Sequence, residues 1–219
     1  MSTVTIPDKR RVASFDVDAQ NTFTPVCPDE LPVPGGTEIV DELNAQAAFA
    51  AVRVGSKDAH SPRAIWVADA EHPVLSPIEG ENVDRRWPVH AVPGTIGFEL
   101  IEGLPEVTGY DYFVWKGVEL DMHPYGACYH DIPRRMSTGV IEYLRASGVD
   151  TVLVGGLATD YCVRATVLEL LEAGFSVVLN LGAARGIAED TVRAATDEMK
   201  RAGARIVDRA ADLRQEAVA

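Results

Sequence analysis

TVLVGGLATDYCVRATVLELLEAGFSVVL, residues 151–179, decides the fold. Thr151 to Val154 is a run of β-formers that stops at the turn pair Gly155-Gly156, as a buried strand does. From near Asp160 to Ala173 the residues read as a helix, which Gly174 ends. Ser176 to Leu179 is a second apolar run. Strand, helix, strand in this order is a βαβ unit, whose two strands must lie parallel in one sheet.

The same alternation extends in both directions. Upstream, Arg11 to Phe15 is a short strand entering the acidic Asp16-Val17-Asp18. Gly35-Gly36 marks a turn, and Thr37-Glu38 can open a helix with Ile39, Val40, Leu43 and Ala47 near helical spacing. A strand over about Ala50 to Val54 leads to Lys57-Asp58-Ala59-His60, and another, Tyr112 to Trp115, delivers Lys116-Gly117. Ser137 to Ala146 reads as a helix. Downstream, a helix over Thr191 to Arg201 is closed by Gly203, and Ala204 to Val207 forms a last strand. This pattern predicts an α/β protein, a three-layer αβα sandwich with a mostly parallel, Rossmann-like central sheet. No linker or repeat divides the chain, so residues 1–219 are expected to form one domain with its core over about 11–208.

Residues 61–94 interrupt the regularity. The segment holds five prolines (Pro62, Pro73, Pro77, Pro88, Pro93) with Trp66, His72, Trp87 and His90. So long an excursion in a small α/β domain points to function.

Composition narrows the partners. A formal charge of -13 excludes unassisted binding to nucleic acid, whose phosphates need a basic surface. No stretch approaches the roughly 18 consecutive apolar residues of a membrane span, and the N-terminus does not read as a secretory peptide. Cys27, Cys128 and Cys162 cannot all pair within one chain and lack zinc-finger spacing, which favours a reducing, cytoplasmic setting. A homo-oligomer is compatible with this composition.

Open parallel sheets gather ligands at the carboxyl ends of their strands. Asp18, Asp58, Lys116 and the Gly155–Cys162 segment all fall there. Cys162 would sit in the first turn of a helix, where unpaired amides and the helix dipole favour a thiolate and can face a developing oxyanion. The residue types leave two readings of Cys162 equally open: a nucleophile, or one more small buried hydrophobe. Asp18 or Asp16 could move its proton, and Lys116 could order the charges. Asp58 and His60, two residues apart in extended backbone, point the same way and could share an ion with His90. One Asp and two His suit Zn²⁺, Fe²⁺ or Mn²⁺. His72 or Glu79 would supply any fourth ligand, while His123 and His130 read as ordinary surface or hydrogen-bonded histidines.

Over residues 11–208 these motifs, in this order, resemble the nicotinamidase (pyrazinamidase) branch of the isochorismatase-like cysteine hydrolases. Val17-Asp18-Ala19-Gln20-Asn21-Thr22-Phe23 resembles the family's base motif and selects Asp18 over Asp16. Lys116-Gly117 resembles its lysine motif, and Gly156 to Val163 its nucleophile motif, the most specific of the set. The resemblance implies Asp58, His60 and His90 as ligands of one divalent ion, zinc first, iron or manganese as alternatives. It implies Phe23 and Trp87 as a sandwich for a pyridine ring, with Tyr125 beside them. It also implies a cis bond between Leu157 and Ala158, and an oxyanion hole from the Ala158 and Cys162 amides. The expected substrate is nicotinamide, with pyrazinamide as an analogue, and the expected place is NAD salvage. Ala59 and Ser61 stand where the family often has Trp and Pro.

Three other functions compete. An isochorismatase-like amidase for a small carbamoyl compound or ureide would lack the metal set. A non-catalytic small-molecule binder would not need Asp18, Lys116 and Cys162 together. A dinucleotide oxidoreductase would carry a glycine fingerprint after the first strand, and none is present.

Overall fold

The structure, a computed structural model, describes residues 3–216. Eight strands form: β1 (Val4–Ile6), β2 (Val12–Val17), β3 (Val52–Asp58), β4 (Tyr112–Lys116), β5 (Thr151–Leu157), β6 (Ser176–Arg185), β7 (Arg205–Val207) and β8 (Leu213–Gln215). Six of them make one sheet in the order β4-β3-β2-β5-β6-β7, and every pair is parallel. From β2 the chain builds outward through β3 and β4, then returns to β5 and builds the other way. The reversal opens a crevice at the carboxyl ends of β2 and β5, beside Asp18 and Cys162.

Four helices cover the faces: α1 (Val40–Ala47), α2 (Val140–Ala146), α3 (Arg164–Glu172) and α4 (Glu189–Ala202). Alternation along the strands decides who packs with whom. Ala13, Phe15, Val17, Val152 and Val154 face one side, against Ile141 and Leu144 of α2, Val167 and Leu170 of α3 and Met199 of α4. Leu157 and Ala183 join Ile39 and Leu43, at and before α1, on the other side. The sequence-expected sandwich is therefore present, with a wholly parallel main sheet.

Several boundaries differ. The strand expected over Ala50 to Val54 runs on to Asp58, because Gly55, Ser56 and Lys57 are buried in ladders with β2 and β4. The helix expected from Ser137 starts at Val140, after Gly139 takes a left-handed φ of 85°. The helix expected from Asp160 opens instead with a π-turn over Thr159–Val163. Outside the expected core, β1 and β8 pair with each other in a separate two-stranded sheet, so the two ends of the described chain lie side by side. Residues 61–94 contain no helix or strand; they fold over the crevice around Ala64, Trp66, Val83 and Trp87. No helix among the described residues is long and apolar enough to cross a membrane.

Candidate active site

Three adjacent strands deliver a charged cluster to the crevice. Asp58 and Lys116 end β3 and β4 and are direct partners in their ladder, which sets their side chains next to each other. Asp18 follows β2 with φ +45°, a conformation few non-glycine residues adopt, so its placement is imposed by the fold. Lys116 is wholly buried, and its Nζ lies 3.0 Å from Asp18 Oδ2 and 3.7 Å from Cys162 Sγ. It also donates to Asp58 Oδ1, and to the Pro124 carbonyl at 3.2 Å. Ser56 Oγ donates to Asp18 Oδ1 at 2.7 Å and accepts from the Asp18 amide at 3.2 Å. Asp18, Asp58 and Cys162 come close enough to hold a cation, and the Lys116 ammonium already serves as that cation.

The turn that carries Cys162 is shaped by its neighbours. Gly156 has φ +130°, and a Cβ there would lie 1.9 Å from the Val17 carbonyl oxygen, so only glycine fits beside β2. The Leu157-Ala158 peptide is cis, as the family resemblance implied. The π-turn then presents Cys162, and Thr166 Oγ1 caps the Cys162 carbonyl at 2.8 Å. Asp160 pins the turn to α4, accepting from the Ile187 amide at 3.1 Å and from Thr191 Oγ1 at 2.5 Å.

Electrostatics corrects one expectation, the resting thiolate. Burial pushes the Cys162 thiol well above the ordinary value; Lys116 opposes this, but Asp18 and Asp58 add to the rise. Burial also raises Asp18, partly countered by Lys116. Burial works against the Asp58 carboxylate too, yet Lys116, then His60 and His90, outweigh it and hold Asp58 well below the usual range. For Lys116, burial is overcome by Asp18, Asp58 and Cys162, so it stays charged. The thiol thus starts protonated, beside a carboxylate whose proton affinity is raised.

Next to this cluster stand His60, His90 and His123, all buried, with one ring nitrogen from each within 4.8 Å of the others. His60 Nδ1 bonds the Gly117 carbonyl at 2.9 Å, leaving Nε2 to face inward, 3.4 Å from Asp58 Oδ1. This contact explains the glycine of the lysine motif: a Cβ on Gly117 would meet His60 Cε1 at 2.3 Å. His90 Nδ1 bonds the Pro88 carbonyl at 2.7 Å. Burial, then His60, lowers His90 to about 3, so its ring is neutral and keeps a lone pair.

His123 is the residue sequence reasoning missed. Read as ordinary surface or hydrogen-bonded, it is 4% exposed and lies among the site histidines. Its spacing from the other histidines gave no signal, since only folding brings its loop there. The candidate fourth ligands lie elsewhere: His72 is half exposed and bonded to Asp69 at 3.0 Å, and Glu79 is exposed.

A pocket joins the two clusters. Phe23, Trp87, His90, His123, Tyr125, Ala158 and Cys162 line it, together with Leu31, Tyr161 and Ile187, which the sequence did not single out. Tyr125 Oη donates to Asp84 at 2.6 Å and accepts from Trp87 Nε1 at 3.3 Å, tying the excursion to the loop after β4. Tyr161 meets the Trp87 ring edge-on, with centroids 5.0 Å apart.

A thiol enclosed at the switch point of a parallel sheet, with a carboxylate and an ammonium at its side, is the design of the three-layer α/β cysteine hydrolases. Within that class the chain belongs to the isochorismatase family, whose Isochorismatase domain matches residues 13–211. It is 30% identical to the nicotinamidase of Saccharomyces cerevisiae over 214 residues, 88% of this chain and 97% of that one. It is similar in structure to PnC1 from L. infantum, solved in complex with nicotinate: TM-score 0.81, 27% identity, covering 98% of this chain and 100% of the other. The pyrazinamidase of Pyrococcus horikoshii, solved in complex with zinc, gives a TM-score of 0.72 at 31% identity, covering 90% and 98%.

Proposed function

We propose that this protein hydrolyses nicotinamide to nicotinate and ammonia through a thioester on Cys162. The observation that carries the proposal is the Asp18–Lys116–Cys162 cluster opening into a cavity that also holds two aromatic residues and a histidine group. The relatives act on or bind pyridine compounds, as their names state.

In this reading the pyridine ring lies between Phe23 and Trp87, with its carboxamide toward Cys162. Asp18 accepts the thiol proton as Sγ attacks the amide carbon, and the Lys116 ammonium favours the ionised form of Asp18 beforehand. The Ala158 and Cys162 amides receive the oxyanion. Asp18 returns the proton to the departing ammonia. It then takes a proton from the water that attacks the thioester and passes it to the Cys162 sulfur as the C–S bond breaks, and nicotinate leaves with its acid proton lost to solvent.

The histidine group fits a divalent metal ion. His60 Nε2 and both ring nitrogens of His123 are buried without a hydrogen-bond partner in the described structure, an arrangement an ion would relieve. His60 and His90, with Asp58 at their edge, would hold it, zinc being the first choice for nitrogen-rich donors and iron or manganese the alternatives. A bound ion would supply a Lewis-acid partner for the ring nitrogen and for water. Three free cysteines suit a cytoplasmic enzyme.

Ammonia release from nicotinamide and pyrazinamide, on protein of known metal content, tests the proposal. Turnover should be lost in Cys162→Ser, and mass spectrometry of quenched wild type should show a nicotinoyl adduct on Cys162. Full turnover by Cys162→Ser would overturn the nucleophile. Turnover of a carbamoyl compound with none of nicotinamide would overturn the substrate.

A further inference from the structure

We propose that His123 is a direct protein ligand of the metal ion, completing a four-residue set with Asp58, His60 and His90. The inference rests on the metal reading above and extends it to a residue on a separate loop.

A neutral imidazole carries one N–H and one lone pair, and when buried both need partners. His123 is 4% exposed, and neither Nδ1 nor Nε2 has a partner in the described structure. His60 and His90 each spend one nitrogen on a backbone carbonyl, at Gly117 and Pro88, which fixes the other nitrogen as the inward one. His123 is held by its surroundings instead. Its ring lies nearly parallel to His60, at 18° with centroids 4.9 Å apart, and to Trp87, at 11° and 5.8 Å. The edge of Trp66 closes a third side at 4.5 Å. Its amide donates to the Asn82 carbonyl at 2.8 Å, anchoring the loop to the excursion. Stacking of this kind leaves the ring plane fixed and the nitrogens at its rim free to coordinate.

The distances come close. Bonds of about 2.0–2.1 Å to zinc let one ion join nitrogens up to about 4.2 Å apart, and one ring nitrogen from each of the three histidines already lies within 4.8 Å of the others, so a small side-chain adjustment would close the set. The ligands would then come from three segments: the end of β3, the Trp87–His90 part of the excursion, and the loop after β4. Binding the ion would tie the excursion to the sheet.

Zinc K-edge X-ray absorption on the zinc-loaded wild type, with zinc affinity measured by chelator competition, tests the assignment. Three imidazoles should appear around zinc in wild type and two in His123→Ala. His123→Ala should bind zinc at least about 100-fold more weakly, the upper end of the 10–100-fold typical of an outer-shell partner. His72→Ala, in its exposed turn, should bind as wild type does. Two imidazoles in wild type, or a His123→Ala affinity within about 10-fold of wild type, would overturn the assignment and leave the metal reading intact. A wild type that takes up no zinc, iron or manganese would overturn the metal reading and this assignment with it. Should His123→Ala fail to fold, the imidazole count in wild type decides alone.

Discussion

Replacing Lys116 by methionine keeps the shape of the side chain and removes its charge. Lys116 and Asp18 are wholly inaccessible and Asp58 is 1% exposed, so solvent cannot take over the role of the ammonium. Removing one partner of a buried ion pair costs about 3–5 kcal/mol, because the other is left uncompensated. Here two carboxylates are left. For a domain of this size each kcal/mol lowers Tm by about 2–4 °C, so Lys116→Met should melt about 6–20 °C below wild type at pH 7. Acidification should narrow the gap. Without the cation that now lowers both carboxylates, the folded-state pKa of each rises above its unfolded value near 3.9. A folded acid with a raised pKa binds protons more tightly than the unfolded chain. The penalty is therefore full above that pKa and shrinks as pH falls through it. Thermal unfolding followed by circular dichroism from pH 7 to pH 5, at matched metal content, measures both effects. The triple variant Lys116→Met/Asp18→Asn/Asp58→Asn should recover most of the loss. A Tm within about 2 °C of wild type at pH 7, or a gap that widens on acidification, would refute the picture of an ammonium neutralising two buried acids.

Other outcomes follow from the same geometry. The acid limb of the kcat/KM profile should lie above the ordinary carboxylate range, because in the proposed mechanism Asp18 must be ionised to accept the thiol proton and burial raises its pKa. Ser56→Ala removes a hydrogen bond that lowers Asp18 and should move this limb to still higher pH; a limb that stays put speaks against Asp18 as the base. Tyr125→Phe loses the bonds to Asp84 and Trp87 and should raise the nicotinamide KM about 3–10-fold at nearly constant kcat, given about 0.5–1.5 kcal/mol per net hydrogen bond. Gly156→Ala should yield no folded soluble protein, since its Cβ has no room beside Val17; a normal melting curve would contradict the backbone path.

The parallel sheet was legible because its strands carry uninterrupted apolar runs that end in glycine or charge, as Thr151 to Gly156 does. Asp18, Asp58, Lys116 and Cys162 could be chosen by position, since strand ends converge in this architecture whatever the intervening loops do. Ranking Asp18 over Asp16 needed family resemblance. In the structure Asp16 faces away from the thiol and is bound by Arg53 and Tyr110, the latter 2.9 Å away. The π-turn escaped because the partners packed around it come from distant segments, Thr191 of α4 on Asp160 and the Ala127 amide on Thr166. The high thiol pKa escaped because the helix start is readable in sequence, whereas burial and two facing carboxylates are not. His123 escaped for a similar reason: a histidine beside proline in a loop has no period to betray it, and only Trp87 and His60 closing around it mark it out.

The histidine lining of the pocket has a consequence for which pyridine amides could react. In a cell, most of the pyridine carboxamide is joined through its ring nitrogen to a ribose phosphate, as in the redox dinucleotides, and carries the same scissile amide. In the proposed reading the ring nitrogen faces His90 and His123, which line the pocket, and a glycosylated nitrogen has no lone pair to offer there. On that reading the wall that would orient the free ring would also discriminate against the intact coenzyme.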